Sequence, residues 1–253
     1  MWRNFTDTQS WKCMLGVASK EVRDHNDIYS WRVNKKNHLM FGRALTEDDL
    51  DYLKSFLPFG YYYAEEGNVE FLKKHFNINK DKSYAAEINL DYFDLSGAKY
   101  KNIRNSINKA NKYGIQFEDN YRKIEDVKQI IDDWDNSMGD RKFRSFANKN
   151  IHFFGSNFHI GCINIFGYKD DKLVSFGVLS NREYSAYIIG KSLCLDFQGL
   201  SELTDVLLYK KAKEAGVKIV NLSGGTNKIM FYKKKFPGIT TVLEFDGKAN
   251  NAL

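Results

Sequence analysis

The chain has 253 residues, of which 43% are hydrophobic and 15% aromatic. This length and composition fit one large globular domain or two small ones and exclude an intrinsically disordered chain. The 38 Lys and Arg residues exceed the 32 Asp and Glu residues, giving a formal net charge of +6. Such a charge permits an anionic partner but excludes a histone-like protein.

The cysteines and the absence of hydrophobic targeting signals bear on the compartment. Cys13, Cys162 and Cys194 lie far apart without CxxC spacing, so we predict buried, reduced thiols and neither a disulfide framework nor a metal site. The N-terminal MWRNFTDTQSWK lacks the apolar core of a signal peptide. No apolar run approaches the roughly 20 residues of a spanning helix. We therefore expect a cytoplasmic, soluble protein with no transmembrane segment.

The N-terminal third of the chain has the pattern of a β-β-α-β-α unit. Thr46 followed by acidic residues is typical of a helix N-terminus. Short aromatic and β-branched runs bounded by polar residues are typical of strands. The predicted elements are strands at 27–33 and 38–45, a helix at 46–57, a strand at 59–66 and a helix at 68–76.

The middle of the chain contains an amphipathic basic helix, predicted within 96–114. Its apolar face has Ile103, Ile107 and Ala110, and its opposite face has Lys101, Arg104, Asn108 and Lys112. The basic face is either simply solvated or binds an anionic substrate, and both explanations stay open. In the second case Lys101 and Arg104 are the candidate substrate-binding residues. A second amphipathic helix, at 124–138, is predicted to be scaffold.

The C-terminal half has the predicted order β-β-β-α-β-α-β. Ser201 is the predicted N-cap of its long helix, and Gly216 suits the C′ position. The predicted elements are strands at 158–168, 173–180 and 184–190, a helix at 201–216, a strand at 217–222, a second helix ending at Pro237, and a strand at 239–245.

The two halves have a similar order of elements and share a short motif. FLKKHF (71–76) is similar to FYKKKF (231–236). We therefore predict a degenerate tandem repeat, with an N-terminal subdomain at 1–84 and a C-terminal subdomain at 85–253. The first copy has a leucine, Leu72, where the second has a tyrosine, and so it is predicted to be structural.

The sequence resembles the GNAT N-acyltransferases. In TNKIMFYKKKF (226–236) the order Asn, then Tyr-x-Lys-x-Phe, resembles a late motif of that superfamily. YKNIRNSINKANKYG (100–114) and NLSGGTNKIMFYKKKFPG (221–238) resemble segments of the Fem-type aminoacyltransferases and of the C-terminal domain of phosphatidylglycerol lysyltransferases. The resemblance implies an α/β fold, with a GNAT-like mixed sheet flanked by helices in two fused subdomains. It also implies an acyltransferase or aminoacyltransferase.

One departure from the GNAT pattern concerns the acyl donor. GNATs that use acyl-CoA carry Arg/Gln-x-x-Gly-x-Gly/Ala, whose backbone N–H groups bind the pyrophosphate. Here Gly199 and Ser201 match the second half of the pattern, and both are candidate substrate-binding residues. The first position is Asp196, an anion where the pyrophosphate would lie. This favours aminoacyl-tRNA over acyl-CoA as the co-substrate, and we expect no permanently bound cofactor.

The resemblance also suggests the residues that carry the chemistry. Tyr232 is the candidate general acid, and Lys233 would hold the phosphate or ester end of the donor beside the turn that begins at Gly224. Backbone amides near Gly190 and the candidate residues Lys191 and Ser192 would stabilise the oxyanion. The general base stays open, and four residues could serve. These are Glu183, Asp196, His152 and His159.

Alternatives remain at the level of function. The partner is predicted to be tRNA or another anionic substrate, while the acceptor and the oligomeric state stay open. A non-catalytic GNAT-like module could instead bind an anionic polymer through the two basic helices. A membrane-surface enzyme recruited by its basic patch is a third possibility.

Overall fold

The computed structural model describes residues 22–33, 35–138, 154, 162–179, 185–193, 196–224 and 236–253, and these residues include eleven strands of one mixed sheet. The strands are β1 (Val22–His25), β2 (Ile28–Val33), β3 (Lys36–Phe41), β4 (Phe59–Ala64), β5 (Phe76–Asn89), β6 (Gln116–Glu118), β7 (Ile163–Lys169), β8 (Lys172–Leu179), β9 (Ser185–Leu193), β10 (Ile219–Gly224) and β11 (Ile239–Ala252). The helices used below are α1 (Leu50–Lys54), α2 (Glu66–His75), α3 (Lys101–Asn111), α4 (Ile124–Met138) and α5 (Leu200–Glu214).

The strand order shows the same path in the two halves of the sheet. The order is β1-β2-β3-β4-β11-β5-β10-β9-β8-β7-β6. In the N-terminal half β2 and β3 pair antiparallel, and α1 then leads into β4, which pairs parallel with β3. In the C-terminal half β8 and β9 pair antiparallel, and α5 leads into β10, which pairs parallel with β9. Each half is therefore a hairpin followed by a parallel crossover.

The closing strand of each half lies beside the other half. β5 follows β4 and α2 in the chain but pairs antiparallel with β10. β11 follows β10 in the chain but pairs antiparallel with β4. The two closing strands also pair with each other along almost their whole length, from Ile239 with Ile88 to Ala252 with Phe76. The halves are thus joined through the centre of one continuous sheet. The division into subdomains at residues 84 and 85, which falls within β5, stays a prediction.

Helices cover both faces of the C-terminal half of the sheet. α5 packs on β7 and β8 and against α3, while α4 packs on β8 and β9. Ile165 and Phe166 are neighbours on β7, yet Ile165 belongs to the cluster under α5 and Phe166 to the cluster under α4. Because successive strand residues point to opposite faces, α4 and α5 lie on opposite sides of the sheet. A third cluster packs α1 and α2 on the N-terminal strands.

Most predicted elements are confirmed, including the hairpins, the α/β class and the mixed sheet. The helix predicted at 46–57 is shorter. Thr46 and Asp49 bond reciprocally around a 3₁₀ turn at Glu47–Asp49, and α1 then ends at Lys54. After Lys54 the chain tightens into i→i+3 bonds, from the Phe56 N–H to the Leu53 carbonyl and from the Leu57 N–H to the Lys54 carbonyl. Pro58 then prevents the helix from continuing, because it has no N–H and disfavours the helical conformation of the residue before it.

The predicted N-cap of α5 is wrong by two positions. Gly199 has this role, with φ at +84°, and Ser201 lies inside the first turn. The Leu200 N–H already donates to the Phe197 carbonyl, so the helix starts one residue before Ser201. At the other end Gly216 has φ at +86° just after the C-cap Ala215, as predicted.

Candidate active site

The parallel strands β9 and β10 separate part way along their length. They pair at Ser185 with Ile219, Ala186 with Val220, and Tyr187 with Asn221. In the part of the chain that the structure describes, no further β9–β10 pair follows. Beyond this point β9 continues to Leu193 beside β8 alone, and β10 continues to Gly224 beside β5. The edge of β9 that faces β10 therefore has backbone groups without a ladder partner in β10.

The separated part of β9 contains the residues predicted to stabilise an oxyanion. Gly190 pairs with Val178, Lys191 with Gly177 and Ser192 with Phe176. The register shifts next to Gly190, because Leu179 pairs with Ile188 and one β9 residue bulges out of the ladder. Bulges beside functional sites re-aim the backbone. The structure thus brings the backbone of Lys191 and Ser192 to the opening between β9 and β10, and their side chains lie outside the described part.

A polar row crosses the centre of the sheet where the two strands separate. Asn221 of β10 is directly opposite Glu87 of β5, and Glu87 is directly opposite Thr240 of β11. The Asn221 amide Nδ2 donates to the Glu87 carboxylate Oε1 at 3.2 Å, and Asn221 is only 4% exposed. Glu87 is not among the predicted site residues, because no strand was predicted where β5 lies. The signal that could have revealed it is the alternation in AAEINL, which is typical of a strand.

The N-terminus of α5 is crowded by the backbone of α3. A Cβ atom at Gly199 would lie 2.1 Å from the carbonyl oxygen of Ser106. Glycine is therefore needed here for close helix packing as well as for its left-handed backbone. This contact gives Gly199 a structural role, while its predicted role in substrate binding, like that of Ser201, remains a prediction. Asp196 is exposed in the turn before the helix.

The basic helix is confirmed as α3, with Ile103 and Ala110 buried and Lys101 exposed. Arg104 differs from the expectation of a freely solvated cation. Its Nη1 donates to the backbone carbonyls of Leu95 and Gly97, each at 2.7 Å, and the residue is half-buried. Removal of its side chain should therefore lower stability, because two carbonyls would lose a charged donor.

The exposed face of α3 combines lysines with asparagines and has no carboxylate. All of its exposed residues are Lys or Asn, namely Lys101, Asn102, Asn105, Asn108, Lys109 and Asn111, and the exposed Lys112 follows the last turn. Lysine supplies positive charge, and asparagine supplies both hydrogen-bond donors and acceptors. Such a face can contact phosphate and sugar groups.

The segment from Gly224 to Phe236 contains Tyr232 and Lys233, which lie outside the described residues. Contacts with the rest of the protein fix both of its ends. At one end Gly224 pairs with Ala85 in β5. At the other end Phe236 is buried, with ring centroids 5.7 Å from Tyr209 and 6.4 Å from Phe93. Phe236 thus anchors this end of the segment in the core, while the helix predicted to end at Pro237 lies outside the described residues. Of the four candidate bases, Glu183, His152 and His159 also lie outside the described part.

The described ranges contain neither a metal-binding cluster nor a membrane-spanning helix. No cluster of three or more His, Cys, Asp or Glu side chains suited to a metal ion occurs among the described residues. Over the same residues, no helix has the length and apolar character needed to cross a membrane. Cys162 forms no disulfide and is half-buried, whereas the sequence predicted a buried thiol, and Cys13 and Cys194 lie outside the described residues.

Comparisons with known proteins show the family and agree with the fold. A family model described as phosphatidylglycerol lysyltransferase, C-terminal, matches residues 43–228, well over half of the chain. A search of curated proteins returned no significant match.

Solved structures share the fold at low sequence identity. A conserved protein of unknown function from Bacteroides thetaiotaomicron has a TM-score of 0.78 at 15% identity, covering 99% of this chain and 92% of that one. The C-terminal domain of a putative lysylphosphatidylglycerol synthetase from Agrobacterium fabrum has a TM-score of 0.70 at 14% identity, covering 96% and 87%. FemX has a TM-score of 0.57 at 11% identity, covering 94% and 90%.

The fold is GNAT-like, as predicted. A GNAT-family acetyltransferase from Colwellia psychrerythraea is also similar, with a TM-score of 0.55 at 10% identity, covering 88% of this chain and 81% of that one. At these identities the structural matches establish the fold alone.

Proposed function

Because the chain belongs to the phosphatidylglycerol lysyltransferase C-terminal family, we propose that it is a transferase that moves an acyl or aminoacyl group to an amine or hydroxyl acceptor. The donor is aminoacyl-tRNA or acyl-CoA. The observation that carries the proposal is the separation of β9 and β10 after the pair of Tyr187 and Asn221. Among the described residues, such an opening leaves backbone amides of β9 without a ladder partner in β10.

The reaction requires stabilisation of a tetrahedral oxyanion and protonation of a leaving group. We assign the first task to backbone N–H groups around Lys191 and Ser192, at the bulge of β9. We assign the second to Tyr232, as general acid. Lys233 holds the phosphate or ester end of the donor, near the glycine turn that begins at Gly224. As the acceptor attacks, the carbonyl oxygen becomes an anion and the acceptor loses its proton to a base or to water. When the intermediate collapses, the bond from the carbonyl carbon to the ribose oxygen or the sulfur of the donor breaks, and Tyr232 protonates that leaving atom.

Two features of the N-terminus of α5 favour aminoacyl-tRNA over acyl-CoA. Asp196 places a negative charge in the turn where a pyrophosphate would bind in an acyl-CoA enzyme. The carbonyl of Ser106 lies directly against Gly199 and adds an electronegative group beside the same turn. Both disfavour a bound pyrophosphate. The exposed basic face of α3 offers a contact surface for the phosphates of a tRNA.

A second candidate function is a non-catalytic module that binds an anionic partner. The observation in its favour is again the exposed face of α3, which carries lysines and asparagines and no carboxylate. Such a face would bind nucleic acid or an anionic membrane surface without any requirement for the opening between β9 and β10.

A transfer assay separates the two functions. The full chain is incubated with tRNA charged with a labelled amino acid, lysine first, or with labelled acetyl-CoA. Acceptors are phosphatidylglycerol vesicles, phosphatidylethanolamine vesicles and a small free amine. We expect label to move from charged tRNA to an acceptor and to disappear with uncharged tRNA. Binding of tRNA without transfer from either donor to any acceptor would instead support the non-catalytic module.

A further inference from the structure

The lysines on the exposed face of α3 have no acidic partner within the protein. The sequence contains no Asp or Glu at positions 95–117. On the neighbouring helix α5, by contrast, Lys211 forms an ion pair with Asp119 at 2.5 Å. Within the ranges that the structure describes, no ion pair is formed by the three lysines of α3 and its C-cap, namely Lys101, Lys109 and Lys112. Their positive charge is therefore available to a partner outside the chain.

Two of these lysines form a line along the helix together with two asparagines. The line consists of Lys101, Asn105, Asn108 and Lys112, and all four are exposed. Their spacing of i, i+4, i+7 and i+11 places them on one side of an α-helix. At a rise of about 1.5 Å per residue the line is about 16 Å long, so it can contact several successive phosphate and sugar groups. Asparagine can donate to a phosphate and can also pair with the 2′-hydroxyl of RNA.

An aromatic pair lies at one end of this line. Tyr113 follows Lys112, and its ring packs edge to face on the ring of Phe197, with centroids 5.1 Å apart and planes at 81°. Both residues are half-buried, so each keeps part of its surface exposed. Unpaired bases stack on aromatic side chains with little dependence on sequence, and cations beside the rings bind the backbone. The negative charge of Asp196, next to Phe197, favours a neutral base over a phosphate on the rings.

The aromatic pair is close to the proposed reaction centre. Phe197 is four residues beyond Leu193, the last residue of β9, so the chain limits their separation to about 14 Å. The turn that carries Phe197 is fixed against α3, because Gly199 packs directly on the backbone of Ser106. A base on the rings would therefore lie only a few nucleotides from a 3′-terminal group held at the opening between β9 and β10.

The polar character of this surface favours nucleic acid over a membrane. A helix that lies in a membrane interface buries a face of large apolar side chains. Among the residues that the structure describes, the strongly exposed large hydrophobic side chains are Tyr92 and Leu253, and neither is on α3. The exposed face of α3 thus meets the requirement for phosphate contact but not the requirement for membrane insertion.

We propose that Tyr113 and Phe197 stack against an unpaired nucleotide near the 3′ end of an RNA. The line from Lys101 to Lys112 contacts the backbone of the paired segment that precedes this nucleotide. Together the rings and the line select an RNA whose helix ends in a single strand. This inference rests on the proposed function for the identity of the RNA, as the carrier of the aminoacyl group, but its test uses uncharged RNA and requires no turnover.

The test compares two RNA hairpins that differ only at the 3′ end, one with a short unpaired extension and one blunt. Binding to the full chain is followed by fluorescence anisotropy at a fixed salt concentration, because affinity for nucleic acid depends on salt. We expect the extended hairpin to bind about 5- to 150-fold more tightly, the range for stacking of a single base. With 4-thiouridine in the extension, ultraviolet light should cross-link the RNA to peptides that contain Tyr113 or Phe197.

Variants of the aromatic pair test the stacking. Tyr113→Leu and Phe197→Leu keep an apolar side chain and remove a ring, so each should abolish most of the preference for the extended hairpin. Tyr113→Phe keeps the ring and should keep the preference. Tyr92→Leu is the matched control, because Tyr92 is exposed at the other end of α5, where Lys213 donates to the carbonyl of Phe93. It should bind both hairpins as the wild type does.

A lysine variant tests the contact with the RNA backbone. Lys112→Ala should weaken the binding of both hairpins alike and lower the slope of log affinity against log salt by about 1. Lys128→Ala is the matched control, because Lys128 is exposed on α4, on the opposite side of the sheet. It should leave both affinities unchanged. If a leucine variant does not fold, the cross-link in the wild-type protein still decides.

Several outcomes would overturn the inference. These are equal affinity for the two hairpins, an unchanged preference in both leucine variants, cross-links remote from the aromatic pair, or binding to phosphatidylglycerol vesicles but to neither RNA. Failure of the proposed function looks different. A chain that binds the unpaired 3′ end at the aromatic pair but transfers no group refutes the transferase, while an active chain whose affinity ignores the unpaired end refutes only this inference.

Discussion

The hydroxyl of Tyr100 donates a hydrogen bond to the backbone carbonyl of Pro237 at 3.0 Å. This bond joins the start of α3 to the end of the segment that contains Tyr232. Burial, and secondarily the carboxylate of Asp94, raise the pKa of Tyr100, so the phenol remains a neutral donor at physiological pH. We expect Tyr100→Phe to lower the free energy of unfolding by about 1 kcal/mol, measured by urea denaturation. Tyr92→Phe, at a residue 76% exposed, is the control and should change nothing.

The contact between Gly199 and Ser106 predicts an unequal effect of two glycine substitutions. Gly199 and Gly216 both have left-handed backbones, but only Gly199 has backbone atoms where a Cβ would lie. Gly216→Ala should cost about 1 kcal/mol of unfolding free energy from the backbone alone. Gly199→Ala must also displace α3, and we expect a loss on the order of 3–5 kcal/mol. Equal losses in denaturation experiments would show that α3 does not press on this turn.

Alanine substitutions of Lys101 and Arg104 should differ in their effects on tRNA binding and on stability. Lys101 is exposed, so Lys101→Ala should change the free energy of unfolding by less than about 0.5 kcal/mol. If it contacts a phosphate, the slope of log affinity against log salt for tRNA should fall by about 1. Arg104→Ala should in addition destabilise the fold by about 1–3 kcal/mol, because two backbone carbonyls lose their donor. If the slope of log affinity against log salt is unchanged in Lys101→Ala, α3 has only a structural role.

Asp49 should make the N-terminal half sensitive to acid. Burial alone would raise its pKa, but hydrogen bonds from Arg43, at 2.8 and 2.6 Å, and from Thr46 hold the pKa below the ordinary value of 3.8. A lowered folded-state pKa contributes stability that is complete above 3.8 and is lost as the pH falls through the folded-state value. Unfolding free energy measured between about pH 6 and pH 2.5 should therefore fall more steeply in the wild type than in Asp49→Asn. Parallel curves would contradict this origin of the acid sensitivity.

Tyr232→Phe tests the proposed general acid. Loss of a positioned acid should lower kcat about 10²- to 10⁴-fold, equivalent to roughly 3–5 kcal/mol in the transition state. Folding should change little, which thermal denaturation would check. Tyr92→Phe is again the control, and it should keep the activity of the wild type. If Tyr232→Phe turned over its substrates at the full rate, the tyrosine would be a packing residue and the leaving group would obtain its proton elsewhere.

Local patterns predicted the elements whose signals are contained in a few consecutive residues. The hairpin between β7 and β8 is an example, since Asp170 and Asp171 in its turn both have positive φ, which aspartate tolerates. α4 is another, because its apolar residues recur at helical spacing over the whole predicted range. In both cases the preference of the sequence and the tertiary environment agree.

Only the second half of β5 has a strand signal of its own, the alternation in AAEINL, whereas the conformation of the first half is determined by its partners. Its first half, NINKDKS, is mostly polar and lacks the alternation of a half-buried strand. It is held by a ladder to β11 that no local signal can show. The hydrogen bond between Asn221 and Glu87 could not be predicted for the same reason, because the two residues lie 134 positions apart in the chain. The sequence therefore predicts the candidate acid and the basic helix but not the polar row across the sheet.

The closing strands β5 and β11 each lie beside the other half of the sheet, and this arrangement affects how the chain folds during synthesis. Each residue pair between β5 and β11 joins positions roughly 150 residues or more apart, so the central ladder cannot form until residues 239–252 have emerged from the ribosome. Until then β5 and β10, already synthesised, would expose one unpaired edge of the growing sheet. Nonlocal ladders of this kind fold slowly and leave edges open to aggregation. Neither half should therefore be expressible by itself as a stable protein, and nascent chains should depend on chaperones that bind exposed strands.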